Sequence, residues 1–233
     1  MIKKHQDYIY LKEDYIKKPK QTFVFLKNLI KIKNKKTSLL DLGCAKGEFI
    51  FYLKNKFKNK IHLTGLDYSP KLISEAKKLS PTREIIFLRA NAQKFRLKKK
   101  FDYIVASGLV SYFDDLNKFL NNSLKYLSKN GKLIILDNFN SFDVDVIVKY
   151  KDNYNKSKKF EKGWNLHSLN TIKKIIEKKK YKLKLKKFNL SFDLKKRKDP
   201  MRSWNVKIDG KKKFTNGLSQ IFLIQALIIS KFN

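Results

Sequence analysis

The chain has 233 residues, 42% of them hydrophobic, and a formal net charge of +35. That length suits one sizeable α/β domain, and that apolar content excludes a chain disordered by composition. The lone cysteine, Cys44, excludes an internal disulfide framework. The N-terminal stretch MIKKHQDYIYLKEDY has basic residues but no apolar run of the signal-peptide kind, and the longest apolar run, 221–229, is broken by Gln225. No membrane span and a cytoplasmic location are the expectation.

In chain order, residues 20–32 place Phe23, Leu26, Leu29 and Ile30 at helical spacing, with Pro19 suited to the first turn. Residues 39–42 read as a short buried strand, 47–54 as the start of a helix, and 62–67 as a second strand. Ser69-Pro70 reads as an N-cap followed by a first-turn proline, opening a helix with Leu72, Ile73, Ala76 and Leu79 on one face. Residues 85–90 and 103–107 are predicted strands. Asp115 is placed to cap a helix carrying Leu116, Phe119, Leu120, Leu124 and Leu127. Asn130-Gly131 reads as a turn into a fifth strand, 132–137. This alternation predicts a parallel sheet covered on both faces.

The second half departs from the pattern. Residues 138–165 are polar and aromatic with weak periodicity, and a connection that long is usually functional or mobile. Ser168 is predicted to cap a helix through Leu169, Ile172, Ile175 and Ile176. Residues 181–194 alternate Lys with apolar residues, and the alternation slips between Leu185 and Phe188, which suggests a bulge. Residues 204–214 read as a hairpin around Asp209-Gly210, and 218–230 as a last, central strand.

The charge has two readings. A field this positive attracts phosphate-bearing partners, so nucleic acid is a candidate partner. But only five of the 55 basic residues are Arg, the better bidentate reader of phosphate, and the Lys residues spread along every predicted helix face and loop. The second reading is a solvated basic surface.

Asp41 ends a buried strand, and Gly43 and Gly47 flank three residues ahead of a helix. Glycine lets the backbone turn sharply and approach a ligand, and helix N–H groups face the same space. Asp67 ends the next strand, 20 residues after Gly47, where an acid is placed to accept from ribose hydroxyls. A nicotinamide site wants G-x-G-x-x-G at this turn. The sequence has Gly43-Cys44-Ala45-Lys46-Gly47-Glu48, and Asp41 just before it suits a ligand bearing an ammonium better than a pyrophosphate.

These residues carry a resemblance. LLDLGCAKGEF resembles motif I of class I S-adenosylmethionine-dependent methyltransferases, and LTGLDYSP their second motif. FLRANAQKF, FDYIVASGLVSYFDD and LSKNGKLIILDN are similar to the segments of the third, fourth and fifth strands. The resemblance covers residues 20–138 well and the rest only as fold. It implies a Rossmann-like three-layer sandwich with a mostly parallel seven-stranded sheet, an antiparallel last strand and substrate-capping inserts. Residues 1–233 would form one domain, with a cofactor-binding core at 20–138 and inserts at 139–165 and 195–216. It implies S-adenosyl-L-methionine as cofactor. Asp41, Gly43, Cys44, Ala45 and Gly47 would form the loop around its methionine portion, and Asp67 would bind the ribose. Tyr68 would lie against the adenine, Asn91 and Ala92 would meet its edge, and Ser107 would lie near the methionine carboxylate or the donor methyl. Ala45 replaces the usual middle glycine, and Asn91 stands where the family often has Asp. Cys44 reads as a small filler rather than a reactive thiol.

Methyl transfer from a sulfonium needs alignment, and a base where the acceptor carries a proton. His167, before a capped helix, is the base candidate; its alternative is a cap or surface role. Tyr112, where many relatives carry His, would face the acceptor or simply pack. His62 begins a strand and reads as structural, and His5 lies in an N-terminal segment that in this family often folds over the cofactor. No metal cluster is expected. No Asn-Pro-Pro-Tyr-like tetrapeptide follows the fourth strand, which lowers base-amine methylation; its place is Ala106-Ser107-Gly108-Leu109. Phe139, Phe142, Tyr150, Tyr154, Trp164 and Trp204 in the inserts suit a small organic acceptor, including a sugar face, or a stacked base. A small-molecule acceptor leads, with a sugar or metabolite hydroxyl as the finer choice; RNA and a non-catalytic cofactor-binding role are the alternatives.

Overall fold

The computed structural model describes residues 4–12, 15–16, 18–32, 36–153, 158–196, 199 and 202–232. The elements run α1 (Lys4–Lys12), α2 (Gln21–Leu29), β1 (Thr37–Leu42), α3 (Glu48–Phe57), β2 (Ile61–Asp67), α4 (Pro70–Leu79), β3 (Ile86–Arg89), β4 (Phe101–Ser107), α5 (Asn117–Lys125) and β5 (Leu127–Asn140). There follow β6 (Lys149–Tyr150), β7 (Glu161–Lys162), β8 (His167–Ser168), α6 (Leu169–Lys178), β9 (Tyr181–Lys187), β10 (Trp204–Ile208), β11 (Lys211–Thr215) and β12 (Ile221–Lys231).

Seven strands make the spine, in the order β3-β2-β1-β4-β5-β12-β9. The first five pair in parallel, and β12 runs antiparallel to both β5 and β9. This is the expected sheet, with β12 as its antiparallel last strand. The hairpin β10–β11 joins the start of β12, and the two-residue β8 joins β5, so the described sheet holds ten strands.

Alternation along the parallel strands builds two cores. Leu40, Ile104, Ala106, Leu133 and Ile135 face one side with Phe119, Leu120 and Leu124 of α5 and Ile172 and Ile176 of α6. Leu39, Tyr103, Val105, Ile134 and Leu136 face the other with Leu26 of α2, Ile50 and Leu53 of α3, and Ile73 of α4. The result is three layers.

Local signals set several ends. Ser69 Oγ accepts from Leu72 N and Ser168 Oγ from Asn170 N, so two of the three predicted caps are formed. The third is not: the N-cap of α5 is Leu116, and Asp115 Oδ1 accepts Asn117 N at 2.8 Å in a turn ahead of the helix. Asp209 and Gly210 both have positive φ, +50° and +70°, as the predicted hairpin turn requires.

Three further expectations are corrected. The predicted turn at Asn130-Gly131 lies inside β5, where the pairing to β4 jumps from Phe101↔Leu127 to Tyr103↔Lys132. A Cβ at residue 131 would come within 2.7 Å of the Phe101 carbonyl oxygen, so the glycine serves this bulge. The slip at Leu185–Phe188 is not a bulge: β9 holds register with β12 through Lys187. The strand ends there, and Phe188 turns inward to an edge-on contact with Phe25. The predicted helix 20–32 is shorter, with Lys20 as N-cap, Pro19 ahead of it and Ile30 already extended.

Candidate cofactor and acceptor site

Strand order reverses between β1 and β4, so the loops after these strands open at the same end of the sheet and bound a crevice. The first loop is held from below by Gly43 N and Cys44 N, which donate to the Leu66 carbonyl at 2.8 and 3.1 Å. Gly43, Ala45 and Gly47 all have positive φ, at +75°, +47° and +86°. Gly47 is the N-cap of α3, and a Cβ there would meet Phe51 and Phe87 at 2.9 Å. The glycine is thus required by both backbone and space. Ala45 adopts the left-handed conformation that glycine usually supplies, at a strain of about 1–2 kcal/mol. Cys44 is buried as filler, and burial pushes its thiol well up.

Asp41 is buried beneath this loop. Burial, and then the charge of Asp67, hold its carboxyl well above the usual range. Among the described residues, no donor bonds its side chain. A buried carboxylate in that state fits an incoming ammonium, as the methionine end of S-adenosylmethionine carries. Asp67 is braced instead: Oδ2 accepts Ala45 N and Oδ1 accepts Ser69 N, both at 2.9 Å. Its carboxyl is also raised, by burial, against those two bonds. Tyr68, beside it, is half exposed, and its ring is open to a flat ligand. Asn91 is half-buried, but its Oδ1 accepts Gln93 N at 2.8 Å, so the oxygen expected for adenine closes its own turn. Ala92 is buried behind it. These residues fit the cofactor that the sequence implies.

The N-terminal segment, which the resemblance implies often folds over the cofactor, is tied to the residues around this loop. Asp7 of α1 accepts from Ser69 Oγ at 2.7 Å, and Glu48 accepts Tyr15 N at 2.7 Å while lying 3.6 Å from Lys46 Nζ. The N-terminal segment therefore lies across the starts of α3 and α4. Lys46 and Glu48, the charged residues beside the glycines, are buried under it. His5 lies on α1; His62 is exposed at the start of β2, the opposite end of the sheet.

Across the crevice, Ser107 ends β4 half-buried and Gly108 follows at φ +62°. Leu109 packs over Gly43, so the two loops touch. The next turn is anchored by Asp137, a buried carboxylate on β5 that accepts Ser111 N at 3.2 Å and Asn138 N at 2.8 Å. Burial raises its carboxyl against those bonds. Tyr112 Oη accepts the Trp164 indole N–H at 3.2 Å, and the Trp164 carbonyl accepts from Gln220. Asn165 donates from its backbone to Ser111 O and from its side chain to Phe113 O and Asp114, and its Oδ1 accepts Val148 N. The stretch 138–165 thus folds back over the end of β4.

His167 is buried at the same place, with Nε2 2.8 Å from the Phe113 carbonyl. A carbonyl accepts only, so Nε2 carries the proton, and Nδ1 lies 4.0 Å from Asp145. The structure brings Tyr112, Trp164 and His167 together, but the His167 ring braces the loop rather than presenting Nε2 to the crevice. Of the other insert aromatics, Phe139 is core, Phe142 is exposed, Tyr150 and Trp204 are half-buried, and Tyr154 lies outside the described residues. No group of acids, His and Cys suited to a metal is found among the described residues.

Residues 33–189 match the model of a methyltransferase domain family, two thirds of the chain, and the chain belongs to that family. S-adenosylmethionine is its cofactor. A malonyl-[acyl-carrier protein] O-methyltransferase of Bacillus anthracis is 23% identical over 151 residues, 62% of this chain and 54% of the relative. A ubiquinone biosynthesis O-methyltransferase of Pelagibacter ubique is 31% identical over 130 residues, 54% of this chain and 50% of the relative. The chain spans about half the length of these curated relatives. The solved structure of a Haemonchus contortus phosphoethanolamine N-methyltransferase with S-adenosyl-L-methionine superposes with a TM-score of 0.62 at 13% identity, covering 91% of this chain and 52% of that one. At that identity the likeness is one of fold. No helix among the described residues is long and apolar enough to cross a membrane.

Proposed function

We propose that this protein transfers a methyl group from S-adenosylmethionine to an oxygen of a small organic acceptor, free or carrier-bound, with a hydroxyl the leading choice. The observation that carries the proposal is the facing pair of loops at the strand-order reversal: the Asp41–Gly47 loop on one side, and Tyr112 with Trp164 on the other. When bound, the cofactor would supply an electrophilic methyl on a sulfonium, the C–S bond breaking as the C–O bond forms, with the thioether leaving and the hydroxyl proton passing to solvent. Asp41 would hold its ammonium, Asp67 its ribose hydroxyls and Tyr68 its adenine. Leu109 and Trp164 exclude water, and Tyr112 orients the acceptor through its hydroxyl, which the indole N–H fixes in place. His167 acts as a positioning residue for the 110–114 turn.

The relatives' printed acceptors, malonyl on a carrier protein and a ubiquinone precursor's oxygen by name, are small or protein-carried. Nucleic acid is therefore not proposed, and the dispersed lysines are read as surface.

The test is incubation with labelled S-adenosylmethionine and fractionated cell extract. Label in small molecules or carrier protein supports the proposal; label confined to RNA overturns the acceptor. Calorimetric titration checks the premise, since a folded protein that binds no S-adenosylmethionine would overturn it. Tyr112→Phe should raise KM for the acceptor with little change in cofactor affinity.

A further inference from the structure

The insert over the acceptor crevice is a hairpin with two unlike faces. Its pairings are Lys149↔Lys162 and Tyr150↔Glu161. Side chains alternate along each strand, and paired residues share a face. Ile147, Lys149, Lys151, Phe160 and Lys162 therefore share one face, and Val148, Tyr150, Asp152 and Glu161 the other. Exposure agrees: every residue of the first set is exposed and every one of the second is half-buried. Phe160 is 73% exposed and Ile147 46%. The outward face carries apolar side chains and lysines and no carboxylate of its own. Asp114, ion-paired to Lys162, is the acid at its rim.

We infer that this outward face docks on an anionic lipid surface. A nearly bare ring and an exposed aliphatic side chain beside lysines are the arrangement of an interfacial anchor: apolar tips enter the headgroup boundary while cations meet anionic lipids. A protein partner fits less well. Two strands of this length offer far less than the area a stable protein interface buries. The cations are lysines, point charges suited to a diffuse field rather than to a bidentate partner. Trp164, two residues past Lys162, bonds Tyr112. Docking would therefore set the acceptor crevice against the bilayer, where an amphiphilic acceptor is delivered. The inference concerns binding, and stands whichever acceptor is methylated.

The experiment is co-sedimentation of the full chain with phosphatidylcholine vesicles, with and without phosphatidylglycerol, at physiological salt. The net charge alone draws the protein to anionic vesicles, so variants decide. Ile147→Ser with Phe160→Ser keeps the charge, and should lower partition to anionic vesicles about tenfold. Lys149→Gln with Lys151→Gln should lower it at least tenfold, whereas Lys77→Gln with Lys78→Gln on α4, an equal change of charge, should lower it less than about threefold. Unaltered melting curves would confirm that these surface variants fold. No binding by the parent chain overturns the inference. So do unchanged partition of the serine variant, equal loss for both lysine pairs, or loss of binding to an acidic protein without loss to vesicles.

Discussion

Asp67 Oδ2 accepts the backbone N–H of Ala45 at 2.9 Å across 22 residues, while its Oδ1 accepts Ser69 N. One acid ties the first glycine loop to the start of α4. The atoms expected to bind ribose therefore also fix the loop that would cradle the methionine portion. Asp67→Ala should weaken S-adenosylmethionine binding about 10–100-fold, the loss expected for bonds to a charged acceptor of about 1.5–3 kcal/mol. The domain should remain folded, because α3 and α4 keep their apolar faces. Titration calorimetry checks this; unchanged affinity would mean that the ribose assignment is wrong.

Asp41 is buried at a cost in stability that depends on pH. Its folded pKa is raised, mostly by burial and then by Asp67. Protonated in the folded chain at low pH, it contributes stability that is complete below the unfolded value of about 4 and is lost as pH rises through the raised folded value. Asp41→Asn should therefore melt higher than the parent at neutral pH, by about 2–4 °C for each kcal/mol of relief, and the difference should close in acid. The same variant should bind S-adenosylmethionine more weakly. Melting curves across a pH series read the first effect, and a gain that persists at low pH would refute its cause.

The two backbone positions in the loop should respond in opposite senses. Ala45→Gly relieves left-handed strain of about 1–2 kcal/mol and gives back about 0.5–1 kcal/mol in unfolded-chain entropy, for a net gain of up to about 1.5 kcal/mol. Gly47→Ala adds such strain and drives a methyl into Phe51 and Phe87, which should cost more than about 2 kcal/mol. Urea titration of both variants measures the contrast.

Much of the core was legible because its signals are local. Ser69-Pro70, Ser168 and Asp209-Gly210 each act through their own neighbours, and the strand alternation follows burial on both faces. The glycine loop with Asp41 and Asp67 was legible for the same reason. What was not legible depends on distant contacts. Asn130-Gly131 looks like a turn, but Phe101 across the sheet makes it a bulge. Phe139 looked like an acceptor aromatic and is core, because β5 runs on to Asn140. The pairing of Trp164 with Tyr112 spans 52 residues and leaves no spacing to read.

His167 offers a separation of roles. As a brace, its loss by His167→Ala removes one of two donors to the Phe113 carbonyl, the other being Asn165, at a cost of about 0.5–1.5 kcal/mol in stability. The effect on kcat should follow that loosening and show no new pH dependence. A base would behave otherwise: the alanine variant would keep its melting temperature and lose the rising limb of the pH–rate profile.

Asn165 has a consequence for how such an enzyme changes its substrate. Through one side chain and its own backbone N–H it joins Ser111, Phe113, Asp114 and Val148. On the proposed reading, acceptor specificity would reside in a pair of segments, 108–114 and 138–168, and not in the insert by itself. A transplant of the second segment alone into a related scaffold would arrive without its sockets. Moved together, the two would carry a new acceptor preference onto an unaltered cofactor fold.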